Sequence, residues 1–330
     1  MIATIAAAAT AISGCAQSST PSASSTAEIP TIEFGYIGDF NGSYALAVAD
    51  KLGLWSKYGV KIDPKVFTNG PLQIQAMQTG DIDTGSIGPG ALWMAAAGQA
   101  KVISINGLGL ADRVVALPGK GISSIKDLRG KKVAVPQGTS GDMILQLALK
   151  RAHMTEADIQ PVNMDPSTVV SALSAGQVDA AAIWYPLVDT IKKAQPGLIE
   201  LASDKEFYPK NTFPGTIVAS NHFAATNKPA LVKLLKVLQA ANDYWLTHKE
   251  QTIKLTAEYL KIPEATVKSN AENIMYPTTA ELVTQSKDGT SAKWLSDLAS
   301  IFVGMGKLGK AKDIKDWYLS ELWPEAAASR

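Results

Sequence analysis

A single cysteine in 330 residues leaves no internal disulfide. The three histidines, His153, His222 and His248, stand far apart without ligand spacing, so no zinc or other metal site is expected. Basic and acidic residues nearly cancel, 31 Lys plus Arg against 30 Asp plus Glu, and the positive excess of a nucleic-acid binder is missing. No apolar run reaches the roughly 20 residues that a membrane-spanning helix needs. Signatures of catalysis are absent as well. Gly138 to Asp142 reads Gly-Thr-Ser-Gly-Asp, which is not a nucleophile elbow. Gly107-Leu108-Gly109 lacks the third glycine of a dinucleotide fingerprint, and neither a phosphate loop nor a His-Glu-x-x-His motif occurs. These absences point away from an enzyme and from any cofactor.

What is present is apolar and mixed. Hydrophobic residues make up 46% and charged residues 18%, enough to build a sizeable core, and the length suits two domains. The start is different in character. Residues 1–15 run through Ala, Ile and Thr into Ile12-Ser13-Gly14-Cys15, which resembles a signal peptide ending in a bacterial lipobox, with Cys15 as the lipidation site. Residues 16–30 are small, polar and almost uncharged. They cannot bury enough apolar surface to offset their ordering entropy, so a flexible tether is expected.

The body repeats itself. Strand Thr31 to Ile37, the loop Gly38 to Ser43 and a helix from Tyr44 to Leu52 are echoed by strand Lys132 to Val135, the loop Pro136 to Gly141 and a helix through Ile144, Leu147, Ala148 and Arg151. Gly80, Asp83 and Ile87 recur as Gly176, Asp179 and Ile183, each 96 residues on. Each of these glycines ends a helical stretch, Leu72 to Gln78 and Val169 to Ala175, where a left-handed cap suits it. Two βαβ-type units imply two α/β lobes whose loops meet beyond the carboxyl ends of the strands. After Val218 helical patterns take over: Lys228 to Trp245, Gln251 to Leu260, Pro263 to Asn273, Ala292 to Val303 and Ile314 to Leu322. They form a tail packed on one lobe.

The loops carry a binding vocabulary. Asn41-Gly42-Ser43 and Thr139-Ser140-Gly141 precede helices, where free N–H groups and the positive dipole end favour an anion; plain N-capping is the alternative reading. Gly88, Pro89 and Gly90 end one strand and let a backbone approach a ligand closely. Trp184 and Tyr185 end the equivalent strand, placed to cover an apolar ligand body or to serve the core. Asp39 is positioned to take an ammonium and Arg113, next to Asp112, an anion; a solvated surface position is the alternative for both pairs of groups.

Four stretches carry a family resemblance: Gly80-Asp81-Ile82-Asp83-Thr84-Gly85-Ser86-Ile87-Gly88, Ile125 to Pro136 with its Lys-Asp-Leu-x-Gly-Lys-x-Val-Ala-Val-Pro pattern, Gly176 to Pro186, and Phe213 to Val218. Together they resemble the substrate-binding proteins of bacterial ABC importers, in the nitrate/sulfonate/taurine group. The resemblance implies a two-lobed α/β type II periplasmic-binding-protein fold, each lobe a mixed sheet flanked by helices. It implies crossover strands near Val114 to Leu117 and Thr216 to Val218. Lobe one would comprise residues 31–116 and 218–330 and lobe two 117–217. Ligand loops carried over from the family fall on Asn41 to Tyr44, Gly88 to Gly90, Thr139 to Gly141, Trp184, and Phe213-Pro214-Gly215. Taurine-binding members place a carboxylate where Gly215 stands here, which favours an anion without an amine unless Asp39 substitutes. The pyrimidine-precursor branch of the fold carries a cysteine-rich motif, which a chain with Cys15 alone lacks.

The expectation is therefore a monomeric, lipid-anchored, extracytoplasmic binding protein. It would capture a small organic anion, sulfonate or taurine-like, and deliver it to a permease and its ATPase, with no catalysis and no nucleic-acid partner. A carboxylate, nitrate or pyrimidine-type ligand, or an extracytoplasmic enzyme using Asp39 and Asp112, is the alternative.

Overall fold

The computed structural model describes Met1 and residues 29–330. The expected signal segment, its Cys15 and most of the tether lie outside the described residues.

Two mixed sheets organise the chain. The first comprises β1 (Thr31–Ile37), β2 (Lys61–Phe67), β3 (Thr84–Ile87), β4 (Lys101–Gly109), β10 (Pro214–Ala219) and β11 (Ile274–Met275), in the order β11-β4-β10-β3-β1-β2. The second comprises β5 (Asp112–Ala116), β6 (Lys132–Val135), β7 (Gln160–Asn163), β8 (Ala180–Trp184) and β9 (Ile199–Ser203), in the order β7-β6-β8-β5-β9. The sequence repeat is a structural one. β2-β1-β3 and β7-β6-β8 are equivalent parallel triplets, and each is extended by an antiparallel strand, β10 or β5. That fourth strand comes in each case from beyond the point where the chain changes sheets.

The chain changes sheets earlier than the family resemblance implied. β4 ends at Gly109 and β5 begins at Asp112, so the first passage is Leu110–Ala111 rather than 116/117. Val114 to Ala116 lie wholly inside the second sheet, paired with Ala182 to Ala180 on one side and β9 on the other. The second passage falls between Ser203 and Pro214, and Pro214 to Ile217 already belong to the first sheet.

Local chemistry sets the helix starts. Phe40–Leu52 begins at Asp39, whose carboxylate accepts from Gly42 N at 2.8 Å, and stops at Gly53 with φ 63°. Gly42 is required by close approach, since a Cβ there would run into the carbonyl of Ile37. Gly70–Thr79 starts at Asn69, which accepts from Leu72 N, and ends at Gly80 with φ 83°. In the tail, helix Lys228–Thr247 buries Leu231, Leu234, Leu235, Leu238 and Trp245 against the first sheet, as their spacing predicts.

Two expectations fail in the tail. Ile314 to Leu322 forms a single 3-10 turn, Ile314–Asp316, and the final helix is Leu322–Ala328. Here the edge of β4 wins over local helical pattern: Val102 N donates to Trp317 O at 2.7 Å, Leu319 N donates to Val102 O at 2.9 Å, and Trp317 is driven into the core. Nor is the tail free of strand, because the two residues of β11 pair with Gly109 and Leu108. Two residues are too few to show a period in sequence.

Candidate functional site

Three helix N-termini open on one cleft between the sheets, which encloses ≈ 720 Å³ counting space open to solvent. Asp39, Asn41 and Gly42 come from the helix after β1, and Asn69, Gly70 and Pro71 from the helix after β2. Thr139 and Ser140 face them from the second lobe. The helix Ser140–Arg151 has no side-chain cap, because the Thr139 hydroxyl turns away to donate to Pro136 O at 2.6 Å. Its first N–H groups are thus directed to the cleft with the positive end of the dipole.

The remaining wall is strand ends and aromatics. Ser86, Ile87, Gly88 and Pro89 follow from β3, Gly107 and Gly109 from β4, and Gly215 from β10. Trp184 and Tyr185 close the cleft from the end of β8. The Tyr185 hydroxyl is committed elsewhere, donating to Glu200 Oε1 at 2.8 Å and accepting from Lys192 Nζ at 2.6 Å. Asn41 is held by the Tyr276 hydroxyl at 3.2 Å, and Asn106 donates to Ser86 Oγ at 2.8 Å.

Of the residues singled out from sequence, eleven line the cleft: Asp39, Asn41, Gly42, Gly88, Pro89, Asp112, Thr139, Ser140, Trp184, Tyr185 and Gly215. Six do not. Ser43 is fully buried, with its hydroxyl toward Ile37 O. Tyr44 stacks on Phe40 in an aromatic cluster with Trp245 and Tyr276, its hydroxyl donating to Asn242 at 3.3 Å. Gly141 packs under β8, where a Cβ would lie 2.6 Å from Ala182 O. Phe213 belongs to the core around Ile87 and Trp317, and the buried Pro214 opens β10 behind the wall. Gly90 instead touches the other lobe's backbone at Thr139–Ser140.

Arg113 is not available to an anion. It donates to Glu200 at 2.9 Å, Leu110 O at 2.9 Å, Asp112 O at 2.8 Å and Asn273 Oδ1 at 2.8 Å, and lies 3.5 Å from Asp204. Sequence reasoning missed Asn69, Gly70 and Pro71, although an Asn followed by Pro in the first turn is a legible helix start. It also missed Asn270, which accepts from Phe40 N at 2.7 Å and donates to Tyr185 O at 2.9 Å, bridging the lobes from the tail.

The electrostatics are unusual for an anion site. Asp39 and Asp112 line the cleft, but no Lys, Arg or His does so among the described residues. Burial pushes the Asp39 carboxyl up to about 6, against the backbone N–H bonds of Gly42 and Asn41. Asp112 is held well above the ordinary carboxylate range by burial and by the neighbouring Asp204 carboxylate, with the Ser140 hydroxyl opposing. Asp204 itself is raised to about 6 by burial. Carboxyls whose folded-state pKa is raised bind protons that the unfolded chain has released. Their stabilising effect is complete below about pH 4 and is lost as pH rises through 6. The unliganded protein should therefore melt a few degrees higher at pH 5 than at pH 8 in matched ionic strength, and a flat or inverted profile would contradict these assignments.

The lobes touch directly. Trp93 Nε1 donates to Gly138 O at 3.3 Å, and Lys307 pairs with the buried Asp142 at 2.9 Å. Met143 of the second lobe sits in an apolar cluster otherwise drawn from the first.

Comparison with known proteins gives four matches of note. The family model described as NMT1/THI5 like matches residues 41–252. A protein of Brucella abortus (strain 2308) named as a binding protein is 46% identical over 301 residues, covering 91% of this chain and 93% of its own. The aliphatic sulfonates-binding protein of Escherichia coli (strain K12) is 28% identical over 75% of this chain and 77% of its own. Among solved structures, the periplasmic nitrate-binding protein of Synechocystis PCC 6803 superposes with a TM-score of 0.73 at 14% identity, over 92% of this chain and 89% of that one, a likeness of fold.

Proposed function

This chain belongs to the NMT1/THI5-like family, and from that premise we propose that it is an extracytoplasmic substrate-binding protein that closes on a small ligand and hands it to an ABC permease and its ATPase. The observation that carries the reading is the cleft itself. Its wall is drawn from both lobes, so only the closed form touches a ligand on all sides, and binding energy then drives closure. Relatives named as binding proteins support the non-catalytic role, and the sulfonate-binding relative supports a sulfonate group on the ligand.

The uncapped N-terminus of the helix Ser140–Arg151 suits that anionic end, contributing roughly 0.3–1 kcal/mol exposed and up to about 2 when desolvated. Trp184 covers the ligand body. A lipid on Cys15 would hold the receptor at the outer face of a membrane; among the described residues no helix is long and apolar enough to cross one.

A thermal-shift screen of alkanesulfonates, aminosulfonates, carboxylates and nitrate tests the reading, with small-angle scattering on each hit. A ligand at 100 times its dissociation constant adds about 2.7 kcal/mol, which raises the midpoint by roughly 5–10 °C. Scattering should show compaction on saturation; a bound ligand without compaction contradicts closure. Trp184→Ala should weaken the same ligand by roughly tenfold to a hundredfold, since an aromatic wall is a typical binding hot spot, and it should also lower the ligand-free midpoint, because the ring is packed into the second lobe's core.

A further inference from the structure

One helix of the second lobe packs on the first. Along Ser140–Arg151, the residues Ser140, Met143 and Leu147 fall three and four apart and so share a face. Ser140 lies against Gly90, and Met143 and Leu147 pack into the first-lobe cluster that holds Leu92 and Phe302. Met143 is fully buried there, apart from the second lobe's own core around Leu145 and Leu149.

Two polar contacts flank this face, and both serve the loop that starts the helix. Gly138 donates its N–H to Asp142 Oδ2 at 2.8 Å, and its carbonyl accepts from Trp93 Nε1 of the first lobe at 3.3 Å. The almost wholly buried Asp142 takes its cation from the first lobe as well, with Lys307 Nζ 2.9 Å from the same Oδ2. Lys307 is delivered by the end of the helix Thr290–Gly304. Gly306 turns left-handed at φ 72°, and Lys307 N donates to Phe302 O at 3.0 Å, which fixes its backbone. Trp93, Asp142, Met143 and Lys307 do not line the cleft.

We infer that Lys307, Trp93 and Met143 form a latch that holds the lobes together with nothing between them, so that the free protein already populates the closed form. Lys307 is then a positioning residue: through Asp142 it holds the start of the helix Ser140–Arg151 against the cleft and sets affinity from outside it. The inference rests on the receptor reading above and adds a control to the same site. Parting the lobes exposes Met143 to water and leaves Asp142 without its cation, so both contacts favour closure. Apparent affinity scales with the closed fraction, and a weakened latch therefore weakens every ligand by the same factor.

Oxidation by dilute hydrogen peroxide, followed methionine by methionine with mass spectrometry on the ligand-free full chain, tests this. Met143 is reached when the lobes part, whereas Met154 in the second lobe's core and Met77 in the first lobe's are reached only by unfolding. Lys307→Gln should shift the closing equilibrium about tenfold and raise the Met143 rate roughly threefold. Trp93→Phe, which keeps the ring and loses the N–H, should raise it less, and Lys307→Arg should restore it. Met154 and Met77 should not respond. A Met143 rate equal in wild type and Lys307→Gln overturns the latch, and so does a rise shared by Met154 and Met77, the mark of general loosening. Titration of ethanesulfonate separates the latch from the reading beneath it. The fold rise at Met143 times the fold loss of ethanesulfonate affinity should come to about ten, since that product is the change in the closing equilibrium; a product near one overturns the latch and leaves the receptor standing. A Met143 contrast in a wild type that binds no sulfonate fails the sulfonate reading and leaves the latch standing.

Discussion

Gly90→Ala abolishes ligand capture while leaving the separate lobes folded: affinity falls on the order of a thousandfold, about 4 kcal/mol. A methyl group at this position would enter the backbone of Thr139 and Ser140, with Ser140 Cα only 2.5 Å away. Those atoms belong to the opposite lobe, and they are backbone at a helix start, so no side chain can swing aside. Gly90 has no left-handed φ, and alanine is therefore tolerated locally once the lobes are apart. The methyl group acts on closure alone. A protein whose binding-competent form is depopulated loses affinity in proportion. Titration should show the loss, scattering should show no compaction at ligand concentrations that close the wild type, and the ligand-free midpoint should stay within roughly 2 °C. Wild-type affinity in Gly90→Ala would mean that the closed contact is not part of the bound state.

Arg113→Ala should cost about 3–5 kcal/mol of folding stability, the range for removing one partner from a buried ionic cluster. The side chain is 4% exposed and stands where the chain passes from the first sheet to the second. Its loss leaves Asp204, fully buried, and the half-buried Glu200 without their cation. It also frees Asn273 from the tail and the Tyr185 ring from the guanidinium stacked 5.0 Å above it. The midpoint should fall by roughly 6–15 °C. Arg113→Lys should recover less than half, since a single ammonium cannot donate in four directions of a planar fork. A midpoint within 2 °C of wild type for Arg113→Ala would show that the cluster stabilises little.

Much of this arrangement is legible in the chain, and the illegible part has physical causes. Strands β1 and β6, the helices they feed and the capping glycines at 80 and 176 follow from local pattern, because their determinants lie within a few residues. The duplicated Gly-x-x-Asp segments reveal two equivalent lobes for the same reason. Arg113 misleads in sequence: a lone arginine near a cleft looks free, and the side chains that engage it, Glu200, Asp204 and Asn273, are brought to it by tertiary structure. Tyr44 and Phe213 neighbour true wall residues, yet side-chain direction turns each into the core. Asn270 is the clearest case. It lies far from the repeat and has no motif around it, and it matters only because a tail helix lays it between Phe40 N and Tyr185 O. The sheet passages are read late because β5 and β10 are buried along their whole length, so neither shows the in–out alternation that would mark which sheet it joins.

The late arrival of β10 in the first sheet also sets an order of events in time. The second sheet is complete once residues 112–203 exist, so that lobe can form from one continuous stretch. The first sheet is different: β10 lies between β3 and β4, yet it leaves the ribosome about 100 residues after β4, some 5–20 s later at ordinary synthesis rates. For that interval β3 and β4 have bare edges and nothing to hold them together. The earliest-made lobe is thus the last to complete its sheet, since β3 and β4 are joined only by a strand from the final third of the chain.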